Sequence, residues 1–115
     1  MSRKAGAIAE QLAAETLQAL GFTILARNYA IRGAELDIVA QEGDCIVFVE
    51  VKQRKSARFA MPRESVTPAK QRRVILAATR WLQDRDFLEA NIRFDVVEVL
   101  DGAVTLLRGA FDTSA

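Results

Sequence analysis

Between Gly33 and Arg54 the chain reads GAELDIVAQEGDCIVFVEVKQR, two strand-like runs separated by Gly43-Asp44. A two-residue loop with glycine at its first central position is the type II′ hairpin turn. Such a turn sets the register of everything beside it: if Glu42 pairs with Cys45, facing residues sum to 87. Asp37 is then opposite Glu50, and Glu35 opposite Lys52, on one face. The arrangement gathers three carboxylates and one lysine. Directly opposed like charges destabilise a sheet, and Val47, Val49 and Val51 mark a strand whose other face is covered too. A cation between the carboxylates would relieve the repulsion.

Two chemistries remain open for this cluster. A hard divalent cation such as Mg²⁺ takes one or two carboxylates and keeps waters for substrate phosphates. Lys52 would then orient or deprotonate an attacking water, or stabilise negative charge on phosphorus-bound oxygens. The other reading is a solvated strand end in which Lys52 simply neutralises Glu35 or Glu50.

Histidine is absent from all 115 residues, which removes His-based triads, His-liganded zinc and His-dependent nuclease mechanisms. Acid–base chemistry must therefore use carboxylates, lysine or water held by a metal. The single cysteine, Cys45, excludes an internal disulfide, and its apolar strand favours a buried thiol over a nucleophile. A chain this long, half of it hydrophobic, suits one domain with its own core, spanning 1–115. No run of about 18 apolar residues is present to cross a bilayer, and MSRKAGAIAEQ lacks the apolar block of a signal peptide. The expectation is a cytoplasmic protein with no membrane partner.

The net charge of +1 conceals an uneven distribution. From Lys52 to Arg73 eight basic residues (Lys52, Arg54, Lys55, Arg58, Arg63, Lys70, Arg72 and Arg73) face Glu64 alone, a local net of +7, and the remaining residues carry −6. Cations beside an acidic cluster suit a phosphodiester substrate, with Arg54, Lys55, Arg58, Arg63, Arg72 and Arg73 as candidate nucleic-acid contacts. A solvated basic loop is the alternative. Phe59 is available to stack on a base.

The flanking elements follow from local signals. Ser2 as N-cap and Gly21 as C′ residue bound a first helix, with Ala5, Ile8, Ala9, Leu12, Ala13, Thr16, Leu17 and Leu20 on one broad arc. Glu10 falls outside that arc beside Gly6, Ala13, Ala14 and Leu17, where it either reaches the acidic cluster or snorkels at the margin. Phe22 to Ala30 reads as a strand interrupted at Arg27-Asn28, and Ser56 to Val66 as an irregular loop. Thr67-Pro68 starts a second helix running to about Arg85 that buries Val74, Ala77, Ala78 and Trp81. Lys70 extends the stripe toward the helix start and points at a phosphate or the carboxylates, or else snorkels. Ile92 to Leu100 and Val104 to Leu107 flank Asp101-Gly102, a type I′ turn. Asp95 and Glu98 fall on opposite faces and receive no shared role. The expected fold is α/β, a mixed central sheet of about five strands with two main helices in the order α-β-β-β-α-β-β.

That order, with Asp and then Glu-x-Lys on successive strands, resembles the PD-(D/E)xK nuclease superfamily, the restriction-endonuclease-like fold that includes archaeal Holliday-junction resolvases. More closely, nearly the whole chain resembles the small bacterial YraN-like family. The matching pieces are Gly6 with Glu10, Gly21-Phe22, Arg27-Asn28, Gly33-Ala34-Glu35-Leu36-Asp37, FVEVKQR, Lys70, and RFDVV from Arg93. The chain departs from the family's pattern in lacking a proline before Asp37 and in having Ala34 where a second glycine is commoner; neither change removes a proposed ligand. The resemblance implies Asp37 and Glu50 as ligands of Mg²⁺ or Mn²⁺, Lys52 as the catalytic lysine and Glu10 as a fourth catalytic group. Glu35, Gln53 and Lys70 would support them. It implies an endonuclease acting on nucleic acid, with DNA expected and branched or structured DNA a candidate preference. The alternative is a nucleic-acid-binding or protein-interaction module that keeps the fold without turnover. A homodimer, which two-fold symmetric cutting would need, and a larger DNA-processing complex both stay open.

Overall fold

The computed structural model describes residues 3–54 and 66–113. Its elements are α1 (Arg3–Ala19), β1 (Thr23–Ile31), β2 (Ala34–Glu42), β3 (Cys45–Arg54), α2 (Pro68–Asp84), β4 (Asn91–Leu100) and β5 (Ala103–Phe111). The five strands form one sheet in the order β1-β2-β3-β4-β5. All neighbours are antiparallel except β3 and β4, which run parallel. A parallel pair cannot be closed by a hairpin and needs a crossover, and α2 lies on the connection that supplies it. The order and the mixed sheet are those expected from the restriction-endonuclease-like pattern.

The two hairpin turns expected at Gly43-Asp44 and Asp101-Gly102 follow their residues. Gly43 has φ 61 and Asp44 has no positive φ, as the II′ turn requires, and Glu42 pairs with Cys45. Asp101 and Gly102 both have positive φ, 49 and 78, the I′ signature. α1 ends in two reversed bonds, Phe22 N to Leu17 O and Gly21 N to Gln18 O, each 3.0 Å. This Schellman pattern carries Phe22 into the core beside Leu17. Ser2, the expected N-cap, lies outside the described residues.

Each helix covers one face of the sheet. α1 lays Ala9, Ala13, Ala14 and Leu17 on Ile38, Ala40, Val47, Val49, Val97 and Val99. α2 lays Val74, Ala77, Ala78, Trp81 and Leu82 on Leu36, Val39, Ile46, Phe48 and Phe94. The α2 stripe is as expected, with Leu82 added. α1 is rotated from the expected arc, because Ile8 and Leu20 are 54% and 51% exposed while Ala14 is buried. Small side chains on the Ala9–Ala13–Ala14 side let the helix approach the sheet closely, and bulkier residues turn outward. That rotation brings Glu10 inward. Among the described residues no helix is long and apolar enough to cross a membrane.

Candidate active site

The hairpin register carries the pairing of β2 and β3 from Glu42↔Cys45 up to Ile38↔Val49. One step further the carboxylate of Asp37 enters: its Oδ2 accepts the amide hydrogen of Val51 at 2.8 Å. A side chain thus supplies the acceptor where the two strands part. Period-two alternation also breaks here, for Leu36 packs under α2 whereas Ile38 packs under α1. Opposite, β1 pairs with β2 at Arg27↔Ile38 and Tyr29↔Leu36, and Asn28 between them has φ 55. The Arg27-Asn28 interruption in the sequence marks this place. Strands that were regular here would send Asp37 simply to one face.

The backbone ladder stops one pair short of Asp37 and Glu50, yet their carboxyls lie close enough for each to shift the other's pKa. Glu35 and Lys52, expected as the next facing pair, are beyond the β2–β3 ladder. Glu35 pairs across to Ala30 and is exposed, though its charge still bears on Asp37. Burial, and then the charge of Asp37, raise the pKa of Glu50 to about 7. Burial raises that of Asp37 as well, opposed by the Val51 hydrogen bond and the charge of Lys70. Lys70 reaches in from the first turn of α2, its Nζ 3.1 Å from Glu50 Oε1.

Glu10 approaches from α1. Its Oε1 is buried without a hydrogen-bond partner among the described residues, and the nearest cation, Arg27 Nη2, is 3.9 Å away. Burial first, and Asp37 second, raise its pKa. Gln11 receives the other contact of Arg27 at 2.8 Å. Glu10, Asp37, Glu50 and Lys70 therefore interact electrostatically although they come from α1, β2, β3 and α2.

Lys52 is exposed two residues beyond Glu50, on the same side of β3. With Glu50, Val51, Gln53, Val66, Thr67 and Lys70 it lines a cavity of about 420 Å³. A second hollow of about 290 Å³ includes Glu35, Lys70 and Arg73. Among the described residues no three acidic or thiol groups converge as a closed metal cage. Glu50 opening onto a cavity with room for several waters, with Asp37 beside it, instead suits Mg²⁺, which takes one or two carboxylates and holds on to its waters.

The candidate nucleic-acid contacts divide. Arg54 is committed to Glu98, Nη1 to Oε2 at 2.8 Å, with only 8% of its side chain exposed. Lys55, Arg58, Arg63 and Phe59 lie outside the described residues. Arg72 and Arg73 are exposed on α2. The partnership of Glu98 was not legible beforehand; the signal for it is a carboxylate inside the apolar strand IRFDVVEVL. The same strand holds Asp95, fully buried, which accepts from Arg93 Nε and Nη2 at 2.8 Å and from Gly109 N at 2.9 Å. Arg93 and Arg108 also grip Glu42. This network ties β5 to β4 and to the end of β2, and takes no part in the acidic pair.

Comparison with known proteins gives one family. The model described as "Uncharacterised protein family UPF0102" matches residues 9–99, a span that contains Glu10, Asp37, Glu50, Lys52 and Lys70. The chain is similar to the UPF0102 protein of Symbiobacterium thermophilum, 47% identical over 108 residues, covering 94% of this chain and 92% of the relative. It is similar to that of Desulforapulum autotrophicum, 44% identical over 115 residues with 96% and 95% covered. A third, from Rhodococcus jostii, is 45% identical over 97 residues with 84% and 82% covered.

Proposed function

The chain belongs to UPF0102, the YraN-like family of the restriction-endonuclease-like superfamily, and on that premise we propose that it is a Mg²⁺- or Mn²⁺-dependent endonuclease hydrolysing DNA phosphodiester bonds. One observation carries the reading: Glu50, a buried carboxylate, lines a cavity together with Lys52 and Lys70, and the half-buried carboxylate of Asp37 lies close enough beside it to raise its pKa. Burying two acids in contact is unfavourable without a cation. Keeping Glu50 open to a cavity rather than sealing it behind a purely structural partner suits exchangeable binding.

In this reading Asp37 and Glu50 hold the cation, which when bound would supply positive charge to the scissile phosphate and acidify water. Lys52 stands at the same cavity and stabilises negative charge on the non-bridging oxygens, or takes a proton from the attacking water. The Val51 amide fixes the Asp37 carboxylate, so the ligand is preorganised by backbone rather than by a flexible side chain. Glu10 adds negative charge from the far side of Asp37 and serves as a supporting carboxylate. Arg72 and Arg73 give sequence-independent attraction to the phosphate backbone. Branched or otherwise structured DNA is the proposed preferred class, by the resemblance to resolvases.

The test is cleavage of linear, nicked, flapped and four-way DNAs in Mg²⁺, Mn²⁺ or EDTA by the wild type and Asp37→Asn. Metal-dependent cutting by the wild type alone is expected. Binding of these DNAs with no cutting in any metal would turn the conclusion to a binding module on a nuclease fold.

A further inference from the structure

Lys70 occupies an unusual place. It is the third residue of α2, its amide donates to Thr67 Oγ1 at 3.2 Å within the N-cap, and no acidic residue lies in that first turn. A cation there opposes the positive end of the helix dipole, so its stabilisation must come from outside the helix. Glu50 supplies it, 3.1 Å from Nζ, while a third of the Lys70 side chain stays exposed. The lysine also stands between two hollows. It lines the larger one with Glu50, Lys52 and Thr67, and the smaller one with Glu35 and Arg73.

Resting on the nuclease reading above, we propose that Lys70 is a displaceable counter-ion: it neutralises Glu50 in the metal-free protein and, once a divalent cation takes that carboxylate, turns to hold a DNA phosphate next to the scissile one. An ammonium and a dication at one carboxylate repel each other strongly in a poorly solvated site, so only one of them is held there at a time. The flexible four-carbon stem allows the ammonium to move while the N-cap keeps the backbone in place. The smaller hollow, where Arg73 is the second cation, is the destination a phosphate oxygen would share with it. Glu50 is thereby kept neutralised in the absence of metal, and the binding charge is delivered only when metal is bound.

The proposal makes the two affinities move in opposite directions. Mn²⁺ binding by electron paramagnetic resonance should be about tenfold tighter in Lys70→Gln than in wild type, the lower end of what a hydrogen bond to a charged group contributes. With Mn²⁺ present, a flapped DNA carrying phosphorothioate linkages at the junction should bind Lys70→Gln about tenfold more weakly than wild type. Without metal the two should bind it alike. Lys70→Arg should restore most of the metal-dependent DNA binding. A residue that only props up α2 would weaken both affinities, and such a result overturns the proposal, as does unchanged Mn²⁺ affinity or a DNA loss equal with and without metal. Absence of Mn²⁺ binding in both proteins would instead overturn the nuclease reading, and this inference with it.

Discussion

Asp37 Oδ2 lies 2.8 Å from the amide nitrogen of Val51 and accepts its hydrogen. The bond crosses from β2 to β3 one step past their last backbone pair, and it makes the carboxylate both a structural acceptor and half of the acidic pair. The two roles separate by substitution. Asp37→Asn keeps an oxygen for Val51 and removes the charge, so metal-free stability should be equal to wild type or higher. Asp37→Ala leaves a largely buried N–H without its acceptor and should cost about 1–3 kcal/mol. Denaturant melts of the two variants check this, and equal destabilisation by both would contradict it.

The raised pKa of Glu50 makes stability depend on pH. Its folded value of about 7 lies above the ordinary 4.5, so the native state binds the proton more tightly than the unfolded chain. Stability is then full below pH 4.5 as far as this group is concerned, and falls as pH rises through the window to about 7. The total is on the order of 3 kcal/mol if the unfolded group is unperturbed. Melting temperatures of the metal-free protein in EDTA should therefore be lower at pH 8 than at pH 5.5, and Glu50→Gln should flatten the difference.

Metal should reverse that loss. A ligand bound only by the native state stabilises by RT ln(1 + [L]/Kd), about 1.4 kcal/mol at roughly 10 mM Mg²⁺ for a Kd near 1 mM. For a domain of this size that is a rise of several degrees. The rise should be larger at pH 8, where protons no longer compete for the pair, and nearly absent in Asp37→Asn. Thermal melts at matched ionic strength decide it; equal shifts in wild type and variant would remove the metal from Asp37.

Lys52 is exposed and makes no ion pair or side-chain hydrogen bond among the described residues. Lys52→Ala should leave the melting curve and its Mg²⁺ shift in place while lowering cleavage by about 10²-fold or more, the usual scale for a positioned proton-transfer or charge-stabilising group. Single-turnover cleavage at saturating protein is the measurement.

The basic segment should respond unevenly. Arg54→Ala strands Glu98, a nearly buried carboxylate, and should destabilise by about 3 kcal/mol as broken buried pairs do. Arg72→Ala with Arg73→Ala should leave stability within about 0.5 kcal/mol. Two fewer released counterions should also make the salt dependence of DNA affinity shallower by about 2 in log–log slope. Fluorescence anisotropy over a salt series, read beside a melting curve, distinguishes the two behaviours.

Local chemistry made much of this protein legible in advance. Gly43-Asp44, Asp101-Gly102, Thr67-Pro68 and Gly21 each dictate a backbone conformation within a few residues. A turn of known type then propagates a register, which brings Asp37 and Glu50 together from sequence alone. The period of Val74, Ala77, Ala78 and Trp81 likewise identified the buried stripe of α2. What the tertiary structure alone decided is where such faces meet. A helical wheel shows an arc but not how far it is rotated against a sheet, and the rotation of α1 that exposes Ile8 and brings Glu10 inward depends on how closely Ala13 and Ala14 allow approach. The shift of faces at Asp37 depends on two strands failing together, Asn28 in one and Asp37 in the other. The choice of Lys70 by Glu50, and of Arg54 by Glu98, joins charges 20 and 44 positions apart. Turn and helix signals act over a handful of residues, whereas the pairing of charges follows distances in space that exist only once both helices have packed against the sheet.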